Sequence, residues 1–273
     1  MGGGLRIREA PGDDVARVDG GSEMRPAAEI VASWVSSEDE DDYPPAGGAA
    51  LRASWAAMCP RQIAYRLMGV ERDLARDTQT ELAFAVGDAI HDVVCRAIAD
   101  ECDGIREAEA TYLADGILLG CHADVLVPVG DTTAVCEVKS MQSYPFDLAV
   151  GAPSRRGRPA TVGTGPKWGH IMQAQLGALC HGSAHIWIVY VDKSNGRIAD
   201  WWLPADHGAA REEALRMADA AHDAFADTLP APRVPDDHGR WKVVLDPPPR
   251  GSRGGPWQCR YCDWQPSCAK SLG

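Results

Sequence analysis

Two short stretches decide how this chain folds: Gly120-Cys-His-Ala-Asp-Val-Leu-Val-Pro-Val129 and Ala134-Val-Cys-Glu-Val-Lys-Ser140. Both are apolar and rich in valine, the signature of strands, and a period of two puts Glu137 and Lys139 on one strand face. Asp124 sits among Val125, Leu126 and Val127. Burying one unpaired charge is costly, so three charges in apolar strands need each other or a metal. Two carboxylates and a lysine are what phosphodiester hydrolysis asks for. The acids hold a divalent cation that activates water and polarises the phosphate, and the ammonium offsets developing charge. The alternative is a Glu–Lys pair on a solvated sheet face. The aspartate thirteen residues before Glu137, on a neighbouring strand, favours the site.

Working outward, a helical pattern starts at Leu51 and runs through Trp55, Met58, Cys59, Ile63, Leu67 and Val70. A second helix fits residues 81–99, with Leu82, Val86, Ile90, Val93 and Val94 at helical spacing. Strands are predicted over 111–119, 120–129 and 134–140. The Gly-, Pro- and Arg-rich 151–165 reads as a loop, 170–180 as a helix, and 184–191 and 197–203 as a hairpin across Ser-Asn-Gly. An Ala-rich helix covers 206–228. Helix, three strands, helix, two strands predict a mixed α/β core.

Two helices carry further candidates. His91 lies in Gly87-Asp-Ala-Ile-His91, and Gln173 and Gln175 lie in His170-Ile-Met-Gln-Ala-Gln175. A helix histidine is commonly structural, and helix glutamines commonly face water.

The tail reads Trp257-Gln-Cys-Arg-Tyr-Cys-Asp-Trp-Gln-Pro-Ser-Cys268, a C-x2-C-x5-C spacing in which three thiolates can hold one metal. A fourth ligand is needed, and Cys59 in Met58-Cys-Pro-Arg61 is the remote candidate. Zinc and a [4Fe–4S] cluster both fit four thiolates, and spacing does not choose between them. Joining Cys59 to the tail closes a ring of about 200 residues, which stabilises. Cys95, Cys102, Cys121, Cys136 and Cys180 read as small buried hydrophobes. Nine cysteines with no signal-peptide pattern point to a cytoplasmic protein whose thiols meet metal rather than disulfides.

A net charge of −12 speaks against nucleic acid over the whole chain. The distribution weakens that objection. Residues 1–45 hold eleven acidic and four basic side chains, whereas 239–273 hold six basic and two acidic, and Arg155, Arg156 and Arg158 add a basic stretch. Residues 1–48, ending in Glu38-Asp-Glu-Asp-Asp42, read as an acidic solvated segment. Residues 49–273 read as one domain, its last part, 230–273, carrying the cysteines. No run of about 18 apolar residues is present, so no membrane helix is expected.

Taken in order, these landmarks resemble the RecB/AddB-like nucleases of the PD-(D/E)xK superfamily. They are most similar to its CRISPR-associated and phage-encoded single-domain exonucleases with an iron–sulfur cluster. Arg52-Ala-Ser-Trp55 and Cys59-Pro-Arg-Gln-Ile-Ala-Tyr65 resemble the first cluster cysteine and its aromatic helix. Gly87–His91 resembles the metal-binding histidine, Gly120–Asp124 and Glu137-Val-Lys139 the acidic strands, and His170-Ile-Met-Gln173 the glutamine helix. Cys259, Cys262 and Cys268 resemble the last three cluster ligands. The match spans roughly residues 50–270. Gly177 departs from it, standing where the family often has tyrosine.

The resemblance implies a sheet flanked by helices and a Mg2+ or Mn2+ ion held by His91, Asp124, Glu137 and the Val138 carbonyl. It also implies catalytic Asp124, Glu137, Lys139 and Gln173, a [4Fe–4S] cluster on Cys59, Cys259, Cys262 and Cys268, and DNA cleaved from an end. Trp257, Tyr261 and Trp264, interleaved with Arg250, Arg253 and Arg260, suit stacking on single-stranded DNA or packing around the cluster. The rival expectation is a non-catalytic DNA-binding or adaptor protein with the same fold and metal.

Overall fold

A computed structural model describes residues 48–73, 78–151, 160–237, 239–245, 247–248 and 256–271, without the Trp257 side chain. The acidic segment, but for Gly48, lies outside these residues, as do Arg155, Arg156, Arg158, Arg250 and Arg253.

The chain runs β1 (Leu51–Arg52), a 3-10 turn (Ala53–Trp55), α1 (Pro60–Leu67) and α2 (Thr78–Cys102). Then come β2 (Ile105–Ala114), β3 (Ile117–Val129), β4 (Thr132–Met141), α3 (Ser143–Val150) and α4 (Trp168–His181). β5 (His185–Asp192), β6 (Ile198–Pro204) and α5 (His207–Phe225) complete the core. The tail adds β7 (Arg233–Pro235), β8 (Trp241–Val243), α6 (Trp257–Arg260) and α7 (Gln265–Lys270). The mixed sheet flanked by helices agrees with the fold class read from the sequence.

The sheet order is β1-β3-β4-β5-β6, with β2 on the other edge of β3. β2 and β3 form an antiparallel hairpin, turned by Asp115 (φ 46) and Gly116 (φ 78). Two left-handed residues make the turn whose twist matches its strands. The sequence had placed this break near residue 120; Asp-Gly at 115–116 is the local signal that fixes it. β4 and β5 are parallel, joined by the crossover through α3 and α4. α3 lies just before the predicted loop, in a stretch for which the sequence offered no element.

α1 does not begin at Leu51. Leu51 and Arg52 pair with Leu119 and Gly120 as a short parallel strand, and the helix starts at Pro60. Proline suits a first helical position, where no amide hydrogen bond is lost.

The sheet faces divide the core. Leu119, Cys121, Leu176 and Met217 pack between the sheet, α1, α4 and α5. Ala123, Val135, Ile186, Ile188 and Tyr190 continue that face beneath α4. Cys95, Ala99, Val125, Val127, Cys136 and Val138 form the opposite face, under α2. Each buried Leu, Ile or Met side chain stabilises by about 1.5–3 kcal/mol, so α4 is firmly seated. Gly177 sets its height: an added Cβ would lie 3.1 Å from Val135 Cγ1 and 3.2 Å from Cys121 Sγ. No tyrosine fits there.

α2 turns a different stripe inward from the one its periodicity offered. Ile90, Val94, Cys95 and Ile98 meet the sheet, whereas Leu82, Val86 and Val93 are exposed. With apolar residues on several faces, spacing alone does not say which one is buried. No helix among the described residues is long and apolar enough to cross a membrane.

Candidate active site

The β3–β4 ladder runs from Val129↔Thr132 to Val125↔Cys136 and stops one step short of Asp124 and Glu137. On its other edge, the β2–β3 ladder skips Glu107 opposite Asp124, and Glu107 is left-handed (φ 50). The sheet face presented by β3 changes at the same place: Ala123 packs under α4 and Val125 under α2. An interrupted ladder with a left-handed partner is a local bulge, a device that re-aims a side chain. Asp124 Oδ2 is turned into the opening and accepts the Val138 N–H at 2.7 Å.

Glu137 is buried, only 2% exposed, and Lys139 Nζ stands 2.5 Å from its Oε1. That oxygen still receives no well-directed hydrogen bond. Burial first, then the like charge of Asp124, push the Glu137 carboxyl up to about 7, against the lowering pull of Lys139. An under-satisfied buried carboxylate beside a second one is a fit for a divalent cation, which would reverse that shift.

From α2, His91 Nε2 reaches Asp124 Oδ2 at 3.0 Å. That bond, then the contact with Cys95, pushes the imidazole up to about 11. The side chain of Val138 packs under α2. The structure thus brings His91, Asp124, Glu137, Val138 and Lys139 to one break in the sheet.

α4 closes the opposite side. Tyr190, the β5 register partner of Lys139, is fully buried. Its hydroxyl accepts the Lys167 N–H at 2.8 Å and lies 2.7 Å from His170 Nδ1. Burial, then the charges of Lys139 and Lys167, hold the His170 imidazole down to about 3. The ring is therefore neutral beside the lysine. The sequence had noted His170 only as part of a motif; its pairing with Tyr190 depends on the crossover.

The two glutamines separate. Gln175 is buried, donates to Pro204 O at 3.2 Å and accepts from Asp206 N at 2.6 Å, so it fastens α4 to the start of α5. Gln173 is half-buried on the stripe His170–Gln173–Gly177, the face that meets the sheet.

Cys95 meets its expectation and adds a contact to it. It is fully buried, as a small hydrophobe would be, yet its Sγ lies 3.4 Å from His91 Nε2. Among the described residues, His91, Cys95 and Asp124 form the one trio of potential ligand atoms within 4.8 Å of one another.

Remote from the carboxylates, Cys59, Cys259, Cys262 and Cys268 line a single cleft with Arg61, Tyr65 and Gln265. Arg61 is buried and bridges the ends of the chain. Its Nε donates to Pro230 O at 2.8 Å and its Nη1 to Ser271 Oγ at 2.7 Å. Trp264 Nε1 donates to Val70 O at 2.9 Å, and Ser267 Oγ to Asp73 Oδ1 at 2.7 Å. Burial first, then the neighbouring thiols, raise Cys259 to about 12. Burial likewise raises Cys262 to about 11. Four converging thiols with no disulfide are a donor set for a metal, which would displace their protons. Trp264 is buried against Tyr65 (centroids 6.1 Å), so packing accounts for it; Tyr261 is 67% exposed.

No protein-family model and no curated protein matches the chain. Solved structures do. "Crystal structure of SSO0001" aligns with a TM-score of 0.50 and 16% identity, over 89% of this chain and 95% of that one. An alkaline exonuclease (LHK-Exo) from Laribacter hongkongensis aligns with a TM-score of 0.45 and 16% identity, over 65% of this chain and 88% of that one. The same protein in complex with dAMP gives 0.45 and 17%. At these identities, the first of them shows a shared fold and nothing about activity.

Proposed function

We propose that the chain is a divalent-metal-dependent nuclease that hydrolyses DNA from an end, with single strands as its substrate. One observation carries this reading: a buried glutamate, a second carboxylate and a lysine meet where two strands of the sheet part. Asp124 and Glu137 would hold Mg2+ or Mn2+, with His91 and the Val138 carbonyl as further ligands. A cation bound there supplies Lewis acidity and lowers the pKa of water.

Lys139 then places its ammonium where charge grows on the phosphoryl oxygens. Gln173, on the sheet-facing stripe of α4, would orient the lysine or the nucleotide. His170, held neutral, keeps a second positive charge away from Lys139.

Cys59, Cys259, Cys262 and Cys268 would hold a [4Fe–4S] cluster that ties the tail to α1. The preference for the cluster over zinc rests on the order of the cysteine motifs, which resembles that of the iron–sulfur exonucleases. Residues 49–273 would act as one nuclease domain. Exposed Tyr261, with Arg260 5.9 Å from its ring, offers a base-stacking surface.

The test is anaerobic purification followed by an assay on end-labelled single-stranded DNA with Mn2+, comparing wild type with Glu137→Ala. Metal-dependent cleavage that disappears in the variant supports the nuclease and its site. No cleavage of any DNA end by a brown, folded wild type would favour a DNA-binding protein. Cleavage that survives Glu137→Ala would mean a different active site.

A further inference from the structure

The hydrolysis just proposed does not require a sulfur ligand, yet one sits against the histidine. Cys95 is one turn after His91 on α2, so both side chains leave the same helix face. Cys95 Sγ lies 3.4 Å from His91 Nε2, His91 Nε2 lies 3.0 Å from Asp124 Oδ2, and all three atoms lie within 4.8 Å of one another. Around tetrahedral zinc, sulfur, nitrogen and oxygen ligands stand about 3.3–3.6 Å apart. The trio needs little movement to reach that geometry.

The thiolate decides which ion is preferred. Mg2+ and Mn2+ favour oxygen donors, whereas one sulfur and one imidazole select zinc-class ions over magnesium. Three protein ligands also leave a fourth position open, as in zinc sites that bind water.

We propose that His91, Cys95 and Asp124 form a binding site for a thiophilic divalent cation, zinc or one of its class. When such an ion binds, the Cys95 S–H proton and the His91 Nε2–H proton pass to solvent, and the sulfur–metal and nitrogen–metal bonds replace them. Occupancy takes Asp124 from the hard-cation site, so zinc opposes the Mg2+- or Mn2+-dependent reaction. The binding stands on this geometry alone; the inhibition rests on the proposed nuclease reading.

The test uses the full chain, purified anaerobically with its thiol cleft loaded, as wild type, Cys95→Ala and His91→Ala. Zinc uptake is measured by equilibrium dialysis in excess Mg2+, and Co2+ binding by its thiolate charge-transfer band in difference spectra. Wild type is expected to hold one more zinc than either variant, or to bind it at least tenfold more tightly, and Cys95→Ala to lose the cobalt–thiolate band. His91→Ala alters a half-exposed residue and carries the dialysis comparison should Cys95→Ala fail to fold. Equal zinc uptake by wild type and the folded variants overturns the proposal. If wild type takes up the extra zinc but cleaves no DNA with Mn2+, the metal site stands and the nuclease reading falls. If it cleaves DNA, micromolar zinc should slow it at least tenfold.

Discussion

Asp124, Glu137 and Lys139 come from consecutive strands whose backbones are paired up to the residue before the site. Cys59 meets Cys259, Cys262 and Cys268 from the opposite end of the chain. The first group is held by the central sheet, and its position does not need a metal. Its cost is electrostatic, since a buried glutamate faces a second carboxylate. The thiol cleft carries the opposite load. Its groups are neutral while protonated, but its walls depend on a few side-chain ties such as Arg61 to Pro230 and Trp264 to Val70. A cation relieves charge in one place; in the other it would supply the missing crosslink.

The largest effect expected from this contrast is at the cleft. Cys262→Ser should remove a ligand and with it much of the folding free energy contributed by the metal, on the order of 5–10 kcal/mol. Thermal unfolding of the loaded protein, wild type against variant, measures it. An unchanged melting temperature with full metal content would erase the distinction between the two regions.

At Lys139, beside the carboxylates, the main effect should fall on rate. Lys139→Met is expected to slow Mn2+-dependent cleavage by about 10²–10³-fold, the usual loss for one electrostatic contact to the transition state. Single-turnover kinetics on end-labelled DNA would show it, and a change in melting temperature without a change in rate would contradict it.

Glu137→Gln sharpens the comparison through pH. The folded-state pKa of Glu137, about 7, lies above the ordinary 4.5, so the folded chain holds this proton more tightly than the unfolded one. The metal-free wild type therefore loses stability as pH rises from about 4.5 to 7, while glutamine cannot ionise. The variant should be more stable than metal-free wild type by about 1–3 kcal/mol above pH 7, with the gap closing by pH 4.5. Denaturant unfolding at pH 5 and pH 8 checks the sign. Mn2+ should erase the advantage by stabilising wild type alone.

Gly177→Ala should be the mildest, destabilising by about 1–2 kcal/mol as Val135 and Cys121 yield a few tenths of an ångström. Denaturant midpoints would measure it. A neutral result would mean that α4 sits less tightly on the sheet than its contacts indicate.

How legible all this was in the sequence depends on how local each signal was. The alternation of Val135, Glu137 and Lys139 against Cys136 and Val138 marked a strand and a shared face, because a period of two leaves no other choice. The Asn195-Gly196 turn was equally local; that Asp206 caps the Ala-rich helix, accepting from Ala209 N at 2.9 Å, is a finding of the structure. The short β1 strand was missed because its strand partners, Leu119 and Gly120, lie some seventy positions on. α2 was found but turned, since its exposed Leu82 and Val86 look no less apolar than its buried face.

The sequence by itself determined most helices and strands of the core, the charged strand residues and the cysteine spacing, since each is written within a few residues of chain. Only the tertiary structure decided that the ladder opens at Asp124, that His170 is paired with Tyr190 beside Lys139, and that Cys95 stands with His91 rather than merely in the core. Those facts depend on which strand lies next to which and how close a helix sits above them. That is fixed by packing between distant segments, and no local pattern encodes it.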